Sequence, residues 1–348
     1  MIYWILFYAI QAVLLFSGIR SSYVLMVALS ILFSGLRFEN GNDWFNYLDI
    51  LQNIETYEGK IEWGLIYLGK ILNLFSYSEH LLFFSFSFVT LALIGLSFNS
   101  IASHRLAFFL YLLTPGLFLN SFHVIRQMLA VSLFFYAVME FGNNKSKLLF
   151  LFCGILGASF HYTAIIPFVF FVVIRWFPMK ANLLPCVLAV ALIYISFIVS
   201  FTELPHDILL KFSGSKFEIY SELGDIENRY KIIVISLIAS LYLYVYYRSK
   251  LVKNEDYLKL FIFGVVLLNL FSNFSVVSRV SYYFIPFGLI IFCNFTDMMK
   301  AKKKFVVRFL YIALLSVSTF SAFSKLESLR CGGADYPSLL NYKSVFSK

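Results

Sequence analysis

The sequence predicts an all-α, polytopic membrane protein of about 12 transmembrane helices, and three observations carry that expectation. Only 14% of the 348 residues are charged and 60% are hydrophobic, whereas a soluble domain carries roughly 25% charged residues. Apolar runs long enough, or nearly long enough, to cross a bilayer recur along the whole chain. The basic residues behind the net charge of +9 lie in short loops between those runs. That distribution marks cytoplasmic membrane edges and argues against a nucleic-acid partner. The aromatic share of 20% suits lipid-facing filler and interfacial rings better than a cofactor pocket.

The first run begins at Ile2 with no basic stretch before it, and Arg20 follows it. It reads as a retained span with its start outside, not as a cleavable signal peptide. Spans are expected near 2–19, 22–36, 80–99, 105–119, 125–141, 148–160, 161–177, 183–202, 231–247, 258–273, 279–297 and 305–323. Several are short for a hydrocarbon core about 30 Å thick. The stretch from Leu148 to Phe177 is too long for one straight span and barely enough for two, so a break near His161 is natural. Residues 63–77 are apolar enough for a short span, yet counting them as one reverses everything upstream. A re-entrant or interfacial helix is the preferred reading there, and a true span with the 37–62 loop in the cytoplasm is the alternative. No internal repeat or polar linker divides the chain, so 1–348 is expected to form a single membrane domain. Cys153, Cys186 and Cys293 fall in apolar segments and Cys331 in the tail. Without a CxxC pair, neither a metal site nor a disulfide framework is indicated.

Orientation follows from the loops. Lys145 and Lys147, then Arg248, Lys250, Lys253 and Lys259, then Lys300, Lys302, Lys303 and Lys304 make three basic edges. Placed inside, these edges alternate correctly with the spans between them. The outer loops 37–79 and 203–230 then face the non-cytoplasmic side, as does the short tail 324–348. The stretch 37–62 is acid-rich, with Glu39, Asp43, Asp49, Glu55, Glu58 and Glu62 against Arg37 and Lys60.

This topology puts Arg37, Arg126 and Arg279 on the outer side, against the usual bias of membrane proteins. A cation kept in an unfavourable place is a functional-site hypothesis, and at a bilayer surface its commonest partner is phosphate. Gly41 and the neighbouring asparagines break the helix just past the membrane edge, so Arg37 can hold a phosphate and Asp43 a sugar hydroxyl. Glu62 beside Trp63 suits carbohydrate, the ring stacking on a sugar face while the acid takes hydroxyls. The alternative for Glu62 is an acid that satisfies a helix N-terminus. Arg126 and Gln127 open a helix that starts outside, with His123 three residues earlier and close enough to share a face. A guanidinium can grip two phosphate oxygens at once. His161 sits in the most polar run of a long apolar stretch and can serve as general base or donor. Arg279 with Tyr282 and Tyr283 begins another span from outside. Each of these has a plainer reading, as an interfacial anchor, a snorkelling cation or a satisfied buried histidine. Their sharing one face is what favours function.

Taken in order, these residues resemble the EpsG-like family of Wzy-type bacterial polysaccharide polymerases. The matching pieces are Arg37…Gly41-x-Asp43…Tyr47, Glu62-x-Gly64, Ile125-Arg126-Gln127-x-Leu129-Ala130, Phe160-His161-Tyr162 and Arg279…Tyr282-Tyr283…Pro286, with a tail around Asn341-Tyr342-Lys343-Ser344. The resemblance implies a polytopic inner-membrane glycosyltransferase of O-antigen or capsule synthesis, acting at the periplasmic face. It would join undecaprenyl-pyrophosphate-linked oligosaccharide repeats, with membrane lipids and a chain-length regulator protein as further partners. Pyrophosphate is then the leaving group, so developing negative charge must be stabilised and an attacking hydroxyl oriented. Arg37, Arg126 and Arg279 suit the first task, and Asp43, Glu62 and His161 the second. Trp63, Gln127, Tyr282 and Tyr283 are the candidate sugar contacts. No cofactor or metal is expected. Competing readings are another polyprenyl-linked glycosyltransferase and a flippase of lipid-linked oligosaccharide. A flippase predicts cations along a central pathway, whereas here they cluster at one edge.

Overall fold

The computed structural model describes residues 1–41, 43–142, 146–176, 182–200, 229–249, 255–272, 274, 278–328 and 342–345. All but the last two residues of the expected outer loop 203–230, and most of the tail, lie outside the described residues. The described chain is almost entirely helical and falls into two compact units, 1–166 with 296–348, and 167–295. Both divisions fall inside helices, which is why no polar linker marks them in the sequence.

The first unit opens with α1 (Ile2–Phe16) and α2 (Ser22–Gly35), which lead into a two-residue strand β1 (Arg37–Phe38). Two short helices follow, α3 (Trp44–Gln52) and α4 (Trp63–Leu72). Next come α5 (Ser78–Asn99), α6 (His104–Leu113), the single turn α7 (Asn120–His123), α8 (Ile125–Gly142) and α9 (Lys147–Phe160). Among the described residues, α5, α8 and residues 301–323 are long and apolar enough to cross a membrane, and the other apolar helices run 10–17 residues. A full crossing takes roughly 20 residues, so length alone qualifies three of the twelve expected spans. Over their described residues the twelve apolar runs nonetheless fall on helices, apart from 3-10 turns that open the runs at 161–177 and 279–297. The buried α8 (78% of its apolar window) forms the centre, whereas α15 (Ala301–Ser328) is 6% buried over residues 301–323.

α4 covers the first ten residues of the segment 63–77. Its ten residues rise about 15 Å, half the hydrocarbon thickness. Its Gly69 packs on Leu51 and Ile54, and the Asn73 amide donates to the Leu51 carbonyl at 2.8 Å. The start of the segment therefore packs against the stretch from Leu51 to Ile54. After α15 the chain returns as strand β2 (Lys343–Ser344), antiparallel to β1 with Arg37 opposite Ser344. Tyr342 stacks on Phe33 and donates to its carbonyl at 2.7 Å, while Lys343 pairs with Glu39. The described tail and the start of the 37–79 loop thus lie side by side.

In the second unit, α11 (Leu183–Val199), α12 (Arg229–Ser249) and α13 (Glu255–Leu270) join through the buried Asn269. Its amide donates to Ile193 O, Ser196 Oγ and Ser236 Oγ at 2.9–3.3 Å, an interhelical polar tie of the kind that holds membrane bundles. α10 (Ile165–Ile174) enters this unit. The span expected at 279–297 is broken. Residues 279–283 form a 3-10 turn, and α14 (Ile285–Asp297) starts afresh. Pro286 fits this, because without an N–H it cannot continue a helix from the preceding turn and is tolerated only in the first turn of a new one.

Candidate active site

Four segments distant in sequence converge at one end of the first unit. Gly41 has φ +107, and a Cβ there would lie 2.0 Å from the Phe122 carbonyl oxygen. Only glycine permits that approach, which seats the loop against α7 and aims α3 inward. Asp43 precedes α3, and Tyr47 on its first turn is 4% exposed. Gly64 does the same for α4, because a Cβ there would meet the Ser159 carbonyl at 2.6 Å. The start of α4 therefore lies directly on the end of α9. There His161 adopts an extended φ of −158, its N–H closing α9 on the Gly157 carbonyl at 2.9 Å. The expected break falls at that residue.

Glu62 occupies the N-cap position of α4, but its side chain makes no cap bond. The carboxylate instead accepts from Arg126 NH1 through Oε2 and lies 3.3 Å from His161 Nδ1 through Oε1. Arg126 Nε donates to the Tyr47 hydroxyl at 3.3 Å, and the guanidinium stands over that ring at 5.8 Å. Asp43 is within electrostatic range of both Tyr47 and Arg126. Partial burial by itself pushes Glu62 up, but the His161 hydrogen bond and the Arg126 charge prevail and hold it below its ordinary 4.5. Burial pushes the Tyr47 phenol up against the pull of Arg126, so its hydroxyl keeps its proton. The cluster is a carboxylate shared by a guanidinium and an imidazole, with Arg126 24% and His161 25% exposed in their side chains. It can hold an anion and move a proton.

Of the residues singled out from sequence, Glu62, Arg126 and His161 meet directly and Asp43 stands close by. Trp63 is 50% exposed beside Glu62, an open ring at the margin of the cluster. Gln127 is buried on α8. Arg37 is placed otherwise than expected. It is 1% exposed, its guanidinium clasped between Phe83 and Phe122 at 5.1 and 4.7 Å, and NH1 donates to Ser34 and to the Ser121 carbonyl. Burial lowers it to about 9, with Tyr342 and Tyr47 opposing, so it stays charged at neutral pH. Its Nε and NH2 are buried without a hydrogen-bond partner among the described residues. His123 and Arg126 also do not share a helical face, because Val124 ends α7 before α8 begins. Arg279, Tyr282 and Tyr283 belong to the second unit, on the 3-10 turn, and Tyr283 is fully buried. Burial of that ring favours packing over sugar contact. The residue passed over as a site member is Tyr47, whose only sequence signal was its place in the resemblance motif.

The EpsG family model matches residues 20–344, nearly the whole chain. No curated protein and no solved structure gives a match.

Proposed function

The chain belongs to the EpsG family, one of Wzy-like polysaccharide polymerases, and from that premise we propose that it joins polyprenyl-pyrophosphate-linked oligosaccharide repeats at the outer face of the membrane. The observation that carries this reading is the convergence of Glu62, Arg126 and His161, 64 and 99 residues apart in sequence. In the proposed reaction the glycosyl C–O bond to the donor diphosphate breaks as the acceptor sugar hydroxyl forms a new C–O bond. The diphosphate leaves with the electron pair, and the hydroxyl proton passes to a base. Arg126 stabilises the charge growing on the diphosphate, the largest task in such a transfer. His161 takes the proton at Nε2, while Glu62 at Nδ1 fixes the tautomer and orientation of the ring. Asp43 and Trp63 are proposed to hold the acceptor sugar. Arg279 remains proposed as an anion ligand on its sequence position alone. Metal independence belongs to the same proposal, and it predicts activity in excess EDTA.

The test is complementation of a strain lacking this chain. The wild-type protein should restore long surface glycan, and His161→Ala should leave glycan bearing a single repeat although the protein inserts. Absence of any surface repeat without the protein would instead assign flipping. Normal chain length with His161→Ala would remove the base from this account.

A further inference from the structure

The half-buried cation of the cluster already has an anion. Arg126 is paired with Glu62, a second carboxylate from Asp43 lies within electrostatic range, and Glu62 also touches His161. A diphosphate reaching Arg126 therefore meets a guanidinium whose charge is matched. Holding both anions on one guanidinium would set like charges against each other at a few ångströms. The site must exchange partners or reject the ligand. Its surroundings fit exchange. Tyr47 accepts from Nε and lies beneath the guanidinium, so Arg126 stays in place when its NH1 partner leaves. His161 already stands at the other carboxylate oxygen, so the released Glu62 has a partner waiting.

We propose that Glu62 is a built-in competitor for Arg126, displaced by the incoming diphosphate, and that the displaced carboxylate places its charge on His161. The inference rests on the reading of Arg126 as diphosphate ligand and adds regulation to it. The imidazole becomes a stronger proton acceptor only when the donor is bound, so an empty site holds an idle base. Tyr47 is a positioning residue in this exchange.

The test is a double-mutant cycle on the full chain in nanodiscs, with binding of inorganic pyrophosphate and of farnesyl diphosphate followed by calorimetry. Glu62→Gln should tighten both probes by roughly ten- to a hundredfold, the worth of one charge-assisted hydrogen bond. In an Arg126→Ala background the same change should do nothing, because ligand and competitor lose the same partner. Tighter binding of farnesyl diphosphate than of pyrophosphate would identify the lipid-borne group as the ligand. If Glu62→Gln still tightens binding without Arg126, the effect is general repulsion and the exchange is wrong. If it loosens or leaves binding unchanged, Glu62 does not compete. Should Glu62→Gln fail to fold, Glu62→Asp serves, its shorter carboxylate reaching Arg126 poorly and giving a smaller tightening in the same direction, because the charge is kept. Failure of the diphosphate reading itself looks different, since then neither probe binds the unaltered protein.

Discussion

The first unit carries a polar cluster at each end of α5, and the two are built differently. Phe83, near the start of α5, stacks on Trp44 beside the Glu62 cluster, while the end of α5 leads toward Ser103 and the second cluster. The stretch of that helix from Phe83 to Asn99 sets them about 24 Å apart. In the second cluster Asp297 accepts from Lys304, Arg308 and Ser103, each at 2.7–2.8 Å, and Arg308 also reaches Thr296. Most of these partners lie within twelve residues of one another, where α14 gives way to α15. This network ties helix ends, and its one carboxylate faces two cations. The Glu62 cluster is assembled from α3, α4, α8 and the end of α9, and its carboxylate is shared between one cation and a titratable ring. Polar side chains in a membrane bundle are thus not evidence of function by themselves. Convergence from distant segments onto an imidazole distinguishes the site from the tie.

The largest expected effect breaks that comparison directly. Arg126→Ala should lower chain growth at least about a hundredfold, as loss of a charge-assisted contact to a transition-state anion does. Arg308→Ala should leave growth within a few-fold, read as glycan length at matched expression. Next comes Arg37→Ala, which leaves the Phe83–Phe122 clasp empty. It should cost about 2–4 kcal/mol and appear as a lowered melting temperature and low folded yield. Gly64→Ala should act on the site without touching its polar atoms. The added Cβ pushes α4 from Ser159, separates Glu62 from His161, and should cut activity about tenfold or more with a smaller loss of stability. Asp297→Asn should cost about 1–2 kcal/mol in thermal stability and leave glycan length unchanged.

The smallest effect sharpens the electrostatics. Glu62 lies below its ordinary 4.5, so its ion pair stabilises the fold above that value and is lost as pH falls through the lower folded value. The stability gap between the unaltered protein and Glu62→Gln should hold steady from neutral pH to about 5 and close below 4.5. A gap that closes near neutrality would contradict the pairing.

The fold was legible in the sequence because helices in lipid leave long apolar runs, and the expected runs fall on helices apart from the 3-10 turns that open 161–177 and 279–297. The break at His161 was legible too, from a stretch too long for one span and marked by polar residues. Which apolar helices reach across was not, because 10–17 residue helices carry the same hydropathy as full spans. For the site, Glu62, Arg126 and His161 were visible as polar residues kept at apolar edges. Arg37 looked the same in the sequence, yet the pairing of β1 with β2 and the packing of Phe83 and Phe122 bury it. Burial of that kind arises from contacts 46 and 85 residues away and leaves no local pattern. Tyr47 was hidden for the converse reason, since one tyrosine among 23 carries no mark of its hydroxyl's partner.

Glu62, Arg126 and His161 are proposed to act as one catalytic unit. It is tested most directly by single-turnover transfer in nanodiscs, with a synthetic polyprenyl-diphosphate-linked repeat as donor. Arg126→Ala, His161→Ala and the double variant should each lose between roughly a hundred- and ten-thousandfold, with the double variant little worse than the poorer single one. Losses that multiply as independent contributions, or a His161→Ala rate within a few-fold of the unaltered protein, would contradict the account.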